Sequence, residues 1–459
     1  MLRYVLAHGF IALILASILL SWGVLLSPPM KGVRELLGIG ELEGVRFNPE
    51  VSAAEIIPLE DAEEFLGRIA HYYHALFMIL LYATLVGLVY VYRVDNYRSI
   101  LNLMLAGVLM TLVGGITYGY IDHSFQWHGL FIAGLAVCFS AGLLALISFK
   151  PKDLLGWATW VSGLLLLAGG FIGGYVGSSY MDPAVRAEFI DTLIETRFDP
   201  GVGDRSEVWR AWTGHQHAMI ALSLTLAFLT AVKLIDLKDG LLRKIASLGV
   251  LFGAPIMATA SFSVWFFGKI AHLIITPAAL TLIAGTLLLS FASKSGPLRS
   301  VEGSLAWGLR LGNLGIWAFV AAPGAIFAMS LRKPTIFFDP PVRSPEWDWV
   351  ELAFNIGHWH LLLLAWGVVL ILIALRILNV GGFISTLISW ISIVGFIGSS
   401  GGLMLYIFTA SPQPYSPNPY DNLWLKIVVE PFLILVTLSV VSLFILYLRT
   451  IYRSFIPNK

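Results

Sequence analysis

One apolar segment of the chain reads Leu352-Ala-Phe-Asn-Ile-Gly-His-Trp-His-Leu-Leu-Leu-Leu-Ala-Trp-Gly-Val-Val-Leu-Ile-Leu-Ile-Ala-Leu375, and it contains no Asp, Glu, Lys or Arg. A transmembrane α-helix needs about 20 mostly apolar residues, whereas a transmembrane strand needs only about 10. Only helices and closed barrels span a membrane, because every backbone polar group must find a partner within the protein. The length of this segment therefore predicts a membrane-spanning helix with two histidines near its beginning.

The whole chain has the composition of a membrane protein. Of its 459 residues, 58% are hydrophobic and 12% are charged, and the mean hydropathy is +0.82. Soluble domains are about one quarter charged, so a soluble domain and a disordered chain are both excluded. The net charge of +1 leaves no basic surface for phosphates, which excludes a nucleic-acid partner. The single cysteine, Cys138, excludes an internal disulfide and a thiolate metal site.

Apolar segments recur along the chain and predict an all-α polytopic membrane protein of about twelve transmembrane helices, forming one domain over residues 1–459. The first segment is interpreted as a retained helix rather than a cleaved signal peptide, because no small-x-small site ends it. The predicted segments are 5–26, 69–92, 99–120, 128–149, 153–177, 212–235, 244–266, 270–292, 305–330, 352–375, 382–409 and 424–448.

Charge predicts the orientation of these helices. Lys and Arg are concentrated in short links on one side, whereas acidic residues are concentrated in long segments on the other. Short cytoplasmic links carry the excess of Lys and Arg, so both termini are predicted to be cytoplasmic, in the cell (plasma) membrane. The long segments at about 27–68, 178–211 and 331–351 are then predicted on the outer face, where 185–197 has the pattern of an amphipathic helix.

Of the ten histidines, all but His8 fall near the predicted outer face. Ionisable groups at membrane depth are costly and usually mark a functional site, although histidines at helix ends also serve as ordinary hydrogen-bonding groups. Three pairs with a spacing of two or three residues occur among these nine histidines. The nine are His71, His74, His123, His128, His215, His217, His272, His358 and His360.

The chemistry of this set is that of neutral imidazole donors. The sequence has no Cys-x-x-Cys-His motif, so a haem would be bound non-covalently, and imidazoles inside a helical bundle suit haem iron, copper or non-haem iron. The high Trp and Phe content would surround a flat apolar ring. Candidates for contacts to haem propionates are basic residues near the same face, which otherwise serve as interfacial anchors. They are Arg68, Lys269, Arg332 and Lys333.

The two histidines of Gly357-His-Trp-His360 point in different directions. Residues two positions apart on a helix lie about 200° apart around its axis. One helix can therefore offer ligands to two cofactors on opposite faces, and a second helix must supply the other axial ligand of one of them. The segment that begins with His71 and His74 is the candidate for that helix.

Two motifs resemble the catalytic subunit of the haem-copper oxidase superfamily. Asn355-Ile-Gly-His-Trp-His-Leu-Leu-Leu-Leu-Ala-Trp-Gly367 resembles the His-x-His motif of helix 10, especially in cbb-type oxidases and nitric oxide reductases. Arg68-Ile-Ala-His-Tyr-Tyr-His-Ala-Leu-Phe-Met78 resembles the helix-2 motif. The twelve predicted helices and the cytoplasmic termini are also similar to this family.

The resemblance implies roles for these histidines and two haem b groups. His358 would be the proximal ligand of a high-spin haem. His360 would ligate a low-spin haem together with His74 or His71, and the match to the oxidases' His-Ala-x-x-Met favours His74. The other member of that pair would then be a hydrogen-bonding residue.

The chain departs from the family at the second metal. The family has one metal-ligating histidine on helix 6, where this chain has His215 and His217, and a His-His pair after helix 7, where this chain has only His272. A copper or non-haem iron site is therefore either rebuilt from these three residues or lost. The segment carrying His123 and His128 has no assigned counterpart, and these two residues are either a further metal or haem site or hydrogen-bonding residues.

Two functions follow from the resemblance. The first is a respiratory enzyme that reduces nitric oxide or dioxygen, with electrons from a cytochrome or cupredoxin-type subunit or from quinol on the outer face. The second is a non-catalytic dihaem b-type membrane cytochrome that carries electrons between quinol and a partner complex. A transporter with histidine proton relays is a third hypothesis, and it predicts no haem.

Overall fold

The computed structural model is all-α and polytopic. It describes residues 1–26, 30–36, 59–195, 206–235, 237–294, 296–321, 345–379, 382–409 and 423–455. Within these ranges there is no β-strand, and eleven helices are long and apolar enough to cross a membrane. The predicted fold class is confirmed, and the orientation of the helices relative to the two sides of the membrane remains a prediction.

The backbone contacts divide the chain into two units, which are described separately. The single domain expected over 1–459 remains a prediction. The first unit comprises Met1–Ser148 together with Pro414–Asn422, of which the latter lies outside the described residues. Its helices are α1 (Leu2–Leu26), the short α2 (Lys31–Leu36), α3 (Leu59–Tyr92), α4 (Tyr97–Tyr120) and α5 (Phe125–Ser148).

The α4–α5 hairpin is the most closely packed part of the first unit, and α3 lies against α4. Glycines allow the two helices of the hairpin to approach, because a Cβ atom at Gly114 would lie 2.5 Å from the backbone nitrogen of Phe131. Small residues are the usual means by which membrane helices pack, since lipid provides no hydrophobic force between them. This close packing positions the end of α4 and the first turns of α5 against α3.

The second unit comprises Phe149–Gln413 and Leu423–Lys459. Besides its α-helices, this unit contains a 3₁₀ turn at Gly268–Ala271 and π-helical turns at Trp317–Ala321 and Leu425–Val429. Its α-helices are α6 (Leu154–Ser179), α7 (Pro183–Glu195), α8 (Glu207–Lys233), α9 (Leu241–Phe267), α10 (His272–Ala292), α11 (Val301–Ile316), α12 (Pro345–Leu378), α13 (Phe383–Thr409) and α14 (Glu430–Phe455).

Helix α8 forms much of the core of the second unit and packs against α6, α9 and α12. Its antiparallel packing against α9 agrees with the short link predicted between these segments. Arg210 donates from Nε to the carbonyl oxygen of Trp265 at 2.9 Å, and a Cβ atom at Gly214 would lie 2.5 Å from the carbonyl oxygen of Ser261. The start of α8 therefore lies beside the end of α9.

At the other end of α8, one carboxylate joins three helices. Asp153 caps α6 by accepting from the backbone N–H of Gly156 at 2.7 Å, and it also accepts from Lys233 at 2.9 Å and from Arg243 at 3.5 Å. Burial alone would raise the pKa of the Asp153 carboxyl. The hydrogen bonds and the two cations lower the pKa by more than burial raises it, so the pKa lies below the usual 3.8. Ionised Asp153 thus ties the ends of α6, α8 and α9 together.

The helix boundaries differ from the predicted ones at several places. α3 begins at Leu59 rather than 69, and α12 begins at Pro345 rather than 352. Both helices have acidic residues in the first turn, and a negative charge there interacts favourably with the positive end of the helix dipole. The helices therefore continue beyond their apolar runs. The ninth predicted segment, 305–330, is a helix and a π-helical turn up to Ala321, and its remainder lies outside the described residues. Most of the predicted segments 27–68 and 331–351 also lies outside them.

The amphipathic helix predicted at 185–197 is present as α7. Phe189 and Ile190 are buried, whereas Glu188 and Asp191 are exposed. The ring of Phe189 packs against Trp209 and Trp212 of α8, with centroids 5.2 and 5.6 Å apart. α7 therefore covers the start of α8, where the histidines of that helix lie.

Candidate haem and metal sites

The candidate ligands divide between the two units. His71 and His74 lie on α3, His123 lies in the α4–α5 link, and His128 lies in the first turn of α5. The second unit holds His215 and His217 on α8 and His358 and His360 on α12. The backbones of Lys269 and His272 are described but their side chains are not, and Arg332 and Lys333 lie outside the described residues.

The two histidines of α12 project from different sides of one continuous helix. The helix runs unbroken from Pro345 to Leu378, so the rotation of about 200° between His358 and His360 applies. The Nδ1 atom of His358 is buried, whereas the side chain of His360 is exposed. The two imidazoles therefore stand in different surroundings, as two ligands of two different groups would require.

His217 turns toward α12. Its ring lies 6.4 Å from that of Trp359, measured between centroids, and Trp359 is the residue between His358 and His360. His217 donates from Nδ1 to the carbonyl oxygen of Thr213 at 2.8 Å, which leaves the lone pair of the neutral ring on Nε2. A backbone carbonyl bound to the far nitrogen is the usual arrangement behind a metal-ligating histidine.

His215 turns toward α6 instead. It donates from Nδ1 to the carbonyl oxygen of Gly169 at 2.8 Å, and a Cβ atom at Gly173 would come within 2.9 Å of both nitrogens of its ring. Helix α8 remains regular at Gly214, the position where an irregularity would be needed for both histidines to face one metal ion. His215 and His217 are thus not brought together. The described side chains also contain no group of three or more His, Cys, Asp or Glu that could hold a metal ion.

In the first unit, the structure brings together two histidines whose contact was not predicted from the sequence. Nε2 of His71 lies 3.3 Å from Nδ1 of His128, and the two ring centroids are 5.4 Å apart. The signal that could have revealed this pair is Gly114-Gly115 at the end of α4. A Cβ atom at Gly115 would contact both Phe131 (3.0 Å) and the Cβ atom of His71 (3.5 Å), so these glycines let α3 and α5 meet.

Aromatic rings surround this pair. Tyr118 lies 4.8 Å from the ring of His71 and 4.7 Å from that of His128, and Phe131 lies 4.5 Å from the ring of His71. His123 contacts the other side of this group, with its ring 5.6 Å from that of Tyr118. Of the two histidines left unassigned by the sequence, His128 therefore belongs to a buried cluster and His123 to its exposed edge.

His74 and Arg68 are held mainly by backbone contacts. His74 donates from Nδ1 to the carbonyl oxygen of Ala70 at 2.7 Å, which again leaves the lone pair on Nε2. Arg68 donates from Nε to the carbonyl oxygen of Gly119 at 3.2 Å, and Tyr120 donates to the carbonyl oxygen of Arg68 at 3.3 Å. Arg68 thus joins α3 to the end of α4 in addition to its candidate role at a propionate.

Comparison with known proteins gives no match, because no protein-family model, no curated protein and no solved structure is significantly similar to this chain. The resemblance to haem-copper oxidases therefore remains an expectation, drawn from the motifs of α3 and α12 and from the predicted topology.

Proposed function

We propose that this chain is a membrane-bound respiratory haem protein, the core subunit of an enzyme that reduces nitric oxide or dioxygen. The observation that supports this best is that the ring of His217 on α8 lies near Trp359 of α12, the residue next to His358, within one unit. An enzyme of this kind needs one imidazole for a high-spin haem and another, from a neighbouring helix, for a second metal.

The donor set fits two haems. His358 and His360 are imidazoles on opposite sides of a regular helix, and each haem iron needs one axial imidazole from this helix. His358 would hold the high-spin haem and His360 the low-spin haem, whose second axial ligand is predicted to be His74 or His71. A haem iron with both axial positions filled carries electrons only, whereas one with an open position binds a small molecule.

The donor set for the second metal fits less completely. Of the two α8 histidines only His217 turns toward α12, and its Nδ1–H is oriented by the carbonyl of Thr213. His272 is the first residue of α10, one 3₁₀ turn after α9, and its side chain is outside the described ones. His217 and His272 would hold a copper or non-haem iron ion, with solvent in the remaining positions.

The residues of the chain would have three tasks. His217 donates its Nδ1 proton to the carbonyl oxygen of Thr213 in a hydrogen bond, which leaves the lone pair of the neutral ring on Nε2. Trp359, between the two haem-ligating histidines, packs its ring near His217. α7 covers the start of α8 with Phe189 on Trp209 and Trp212, which would exclude water from this end of the second unit. Electrons would come from a cytochrome or cupredoxin-type subunit or from quinol.

One observation favours the alternative of a non-catalytic dihaem b-type cytochrome. Because His215 donates to Gly169 on α6, it is not directed at a metal beside His358. An electron-transfer cytochrome needs no second metal, so the loss of this ligand would be of no consequence to it.

The experiment that tests the proposal is a count of cofactors in the purified chain. We expect two extractable haems and one non-haem copper or iron ion that resists washing with a chelator. Two haems with no further metal would favour the cytochrome, and a colourless protein would exclude both functions.

A further inference from the structure

We propose that His71 and His128 form a binding site for one tetrahedral transition-metal ion in the first unit. The two nitrogens that face each other, Nε2 of His71 and Nδ1 of His128, belong to different helices and are 3.3 Å apart. The site is separate from the proposed haem ligands of α12 and from His217. It depends on the proposed function in one respect only, namely that His74 and not His71 is the haem ligand on α3.

The separation of the two nitrogens matches a tetrahedral ion. Imidazole nitrogens bind Zn²⁺ at about 2.0–2.1 Å, so two of them at the tetrahedral angle lie about 3.3–3.4 Å apart. A linear two-coordinate ion would require about 4 Å, and adjacent octahedral positions would require about 3 Å. In this structure the same two nitrogens form a hydrogen bond between the helices, which a bound ion would replace.

The surrounding residues hold both rings in place. His71 is 7% exposed, and its ring is in contact with Tyr118 and Phe131, at 4.8 and 4.5 Å between centroids. Tyr118 also packs on His128, and Gly115 brings α4 directly against His71 and Phe131. Ligands whose rotamers are fixed by packing bind a metal without first losing conformational entropy.

The site has an access route from water at the α4–α5 link. His128 is only half-buried, and the link residues Asp122 and His123 are exposed. Trp127 donates from Nε1 to Asp122 at 3.0 Å, which holds the link at the mouth of the site. Two histidines leave two of four tetrahedral positions to water, so the ion would exchange with solvent. Imidazole ligands with no thiolate suit Zn²⁺ or a copper ion.

The test uses the purified full-length chain, washed with a chelator and titrated with Co²⁺, whose d–d absorption is intense only in tetrahedral sites. We expect one Co²⁺ ion with tetrahedral absorption whose affinity falls more than about 100-fold in His128→Leu. His128→Asp should retain the absorption, because a carboxylate oxygen stands the same number of bonds from the backbone as Nδ1. His123→Ala is the matched control and should bind as the wild type does.

Haem spectra of the same samples separate this inference from the proposed function. If the wild type binds no tetrahedral Co²⁺, or if His128→Leu binds it unchanged, the site does not exist whatever the haem content. If His71→Ala loses the low-spin haem, His71 is a haem ligand and the metal site is excluded. A protein without haem that still binds Co²⁺ through His71 and His128 would overturn the proposed function alone.

Discussion

His215 and His217 lie two positions apart on α8 and turn toward different helices. His215 donates to the carbonyl oxygen of Gly169 on α6, whereas His217 turns its ring toward Trp359 on α12. Because α8 is regular between them, the two imidazoles cannot converge on one ion near α12. We therefore expect His217 to bind the metal ion and His215 to stabilise the packing of α8 against α6.

The first prediction concerns these two histidines. We expect His217→Ala to remove the non-haem metal, because it deletes the only described α8 imidazole that faces α12. His215→Ala should keep the metal and lower the stability by about 1 kcal/mol, since it removes one hydrogen bond to Gly169. Copper and iron per haem, measured after chelator washing, distinguish the two variants. Equal metal content in both variants would contradict the assignment.

The second prediction concerns the cofactor. Acid acetone should extract two haems per chain, because the sequence has no Cys-x-x-Cys-His motif for covalent attachment. The absorption of the extracted pigment gives the count and the haem type. Pigment that remains on the protein after extraction would disprove non-covalent binding.

The third prediction separates the two α12 histidines. His360→Ala should remove the low-spin signal, whereas His358→Ala should abolish binding of CO and leave a six-coordinate haem in place. The reason is that the two rings leave opposite sides of one continuous helix. Optical and EPR spectra of both variants measure this, and identical spectra would be incompatible with two haems on α12.

The fourth prediction tests the contact between α6 and α8. Gly173→Ala should destabilise the protein by about 1–3 kcal/mol, because the added methyl would come within 2.9 Å of both ring nitrogens of His215. Gly174→Ala is the matched control, since no atom lies within 4 Å of its Cβ position. Thermal unfolding in detergent should show a lower midpoint for Gly173→Ala only. A midpoint equal to that of the control would mean that His215 does not pack on α6.

The fifth prediction concerns pH. The pKa of Asp153 is lower in the folded protein than in the unfolded chain, so its contribution to stability is present above the unfolded value of 3.8 and is lost as pH falls through the folded pKa. Asp153→Asn should therefore lower the midpoint of unfolding at pH 7, and the difference from the wild type should shrink below about pH 4.

Asp239→Asn is the control for this experiment, because Asp239 pairs with the same Arg243 but its side chain is 92% exposed. Exposed ion pairs contribute little to stability, so its unfolding midpoint should follow that of the wild type at every pH. A constant difference between Asp153→Asn and the wild type from pH 7 to pH 3 would show that the charge of Asp153 is not what stabilises the helix ends.

The class of protein and most of the helices follow from the amino-acid sequence alone. Apolar length is a local property, and a run such as 352–375 must be helical in a membrane because its backbone has no other partners. The opposite directions of His358 and His360 also follow from spacing alone, once the segment is a helix. Boundaries at the polar ends were less well predicted, since α3 and α12 continue beyond their apolar runs into charged turns.

Which histidines contact one another depends on how the helices pack. The pairing of His71 with His128 requires α3 and α5 to approach across Gly115, and the direction of His215 requires α6 to present Gly169 and Gly173 to it. The local sequences of α8 and α5 do not indicate which residues of other helices their histidines contact. The physical reason is that membrane helices associate through close packing of small residues rather than through hydrophobic burial, so the partner of each face depends on the shape of helices that are distant in sequence.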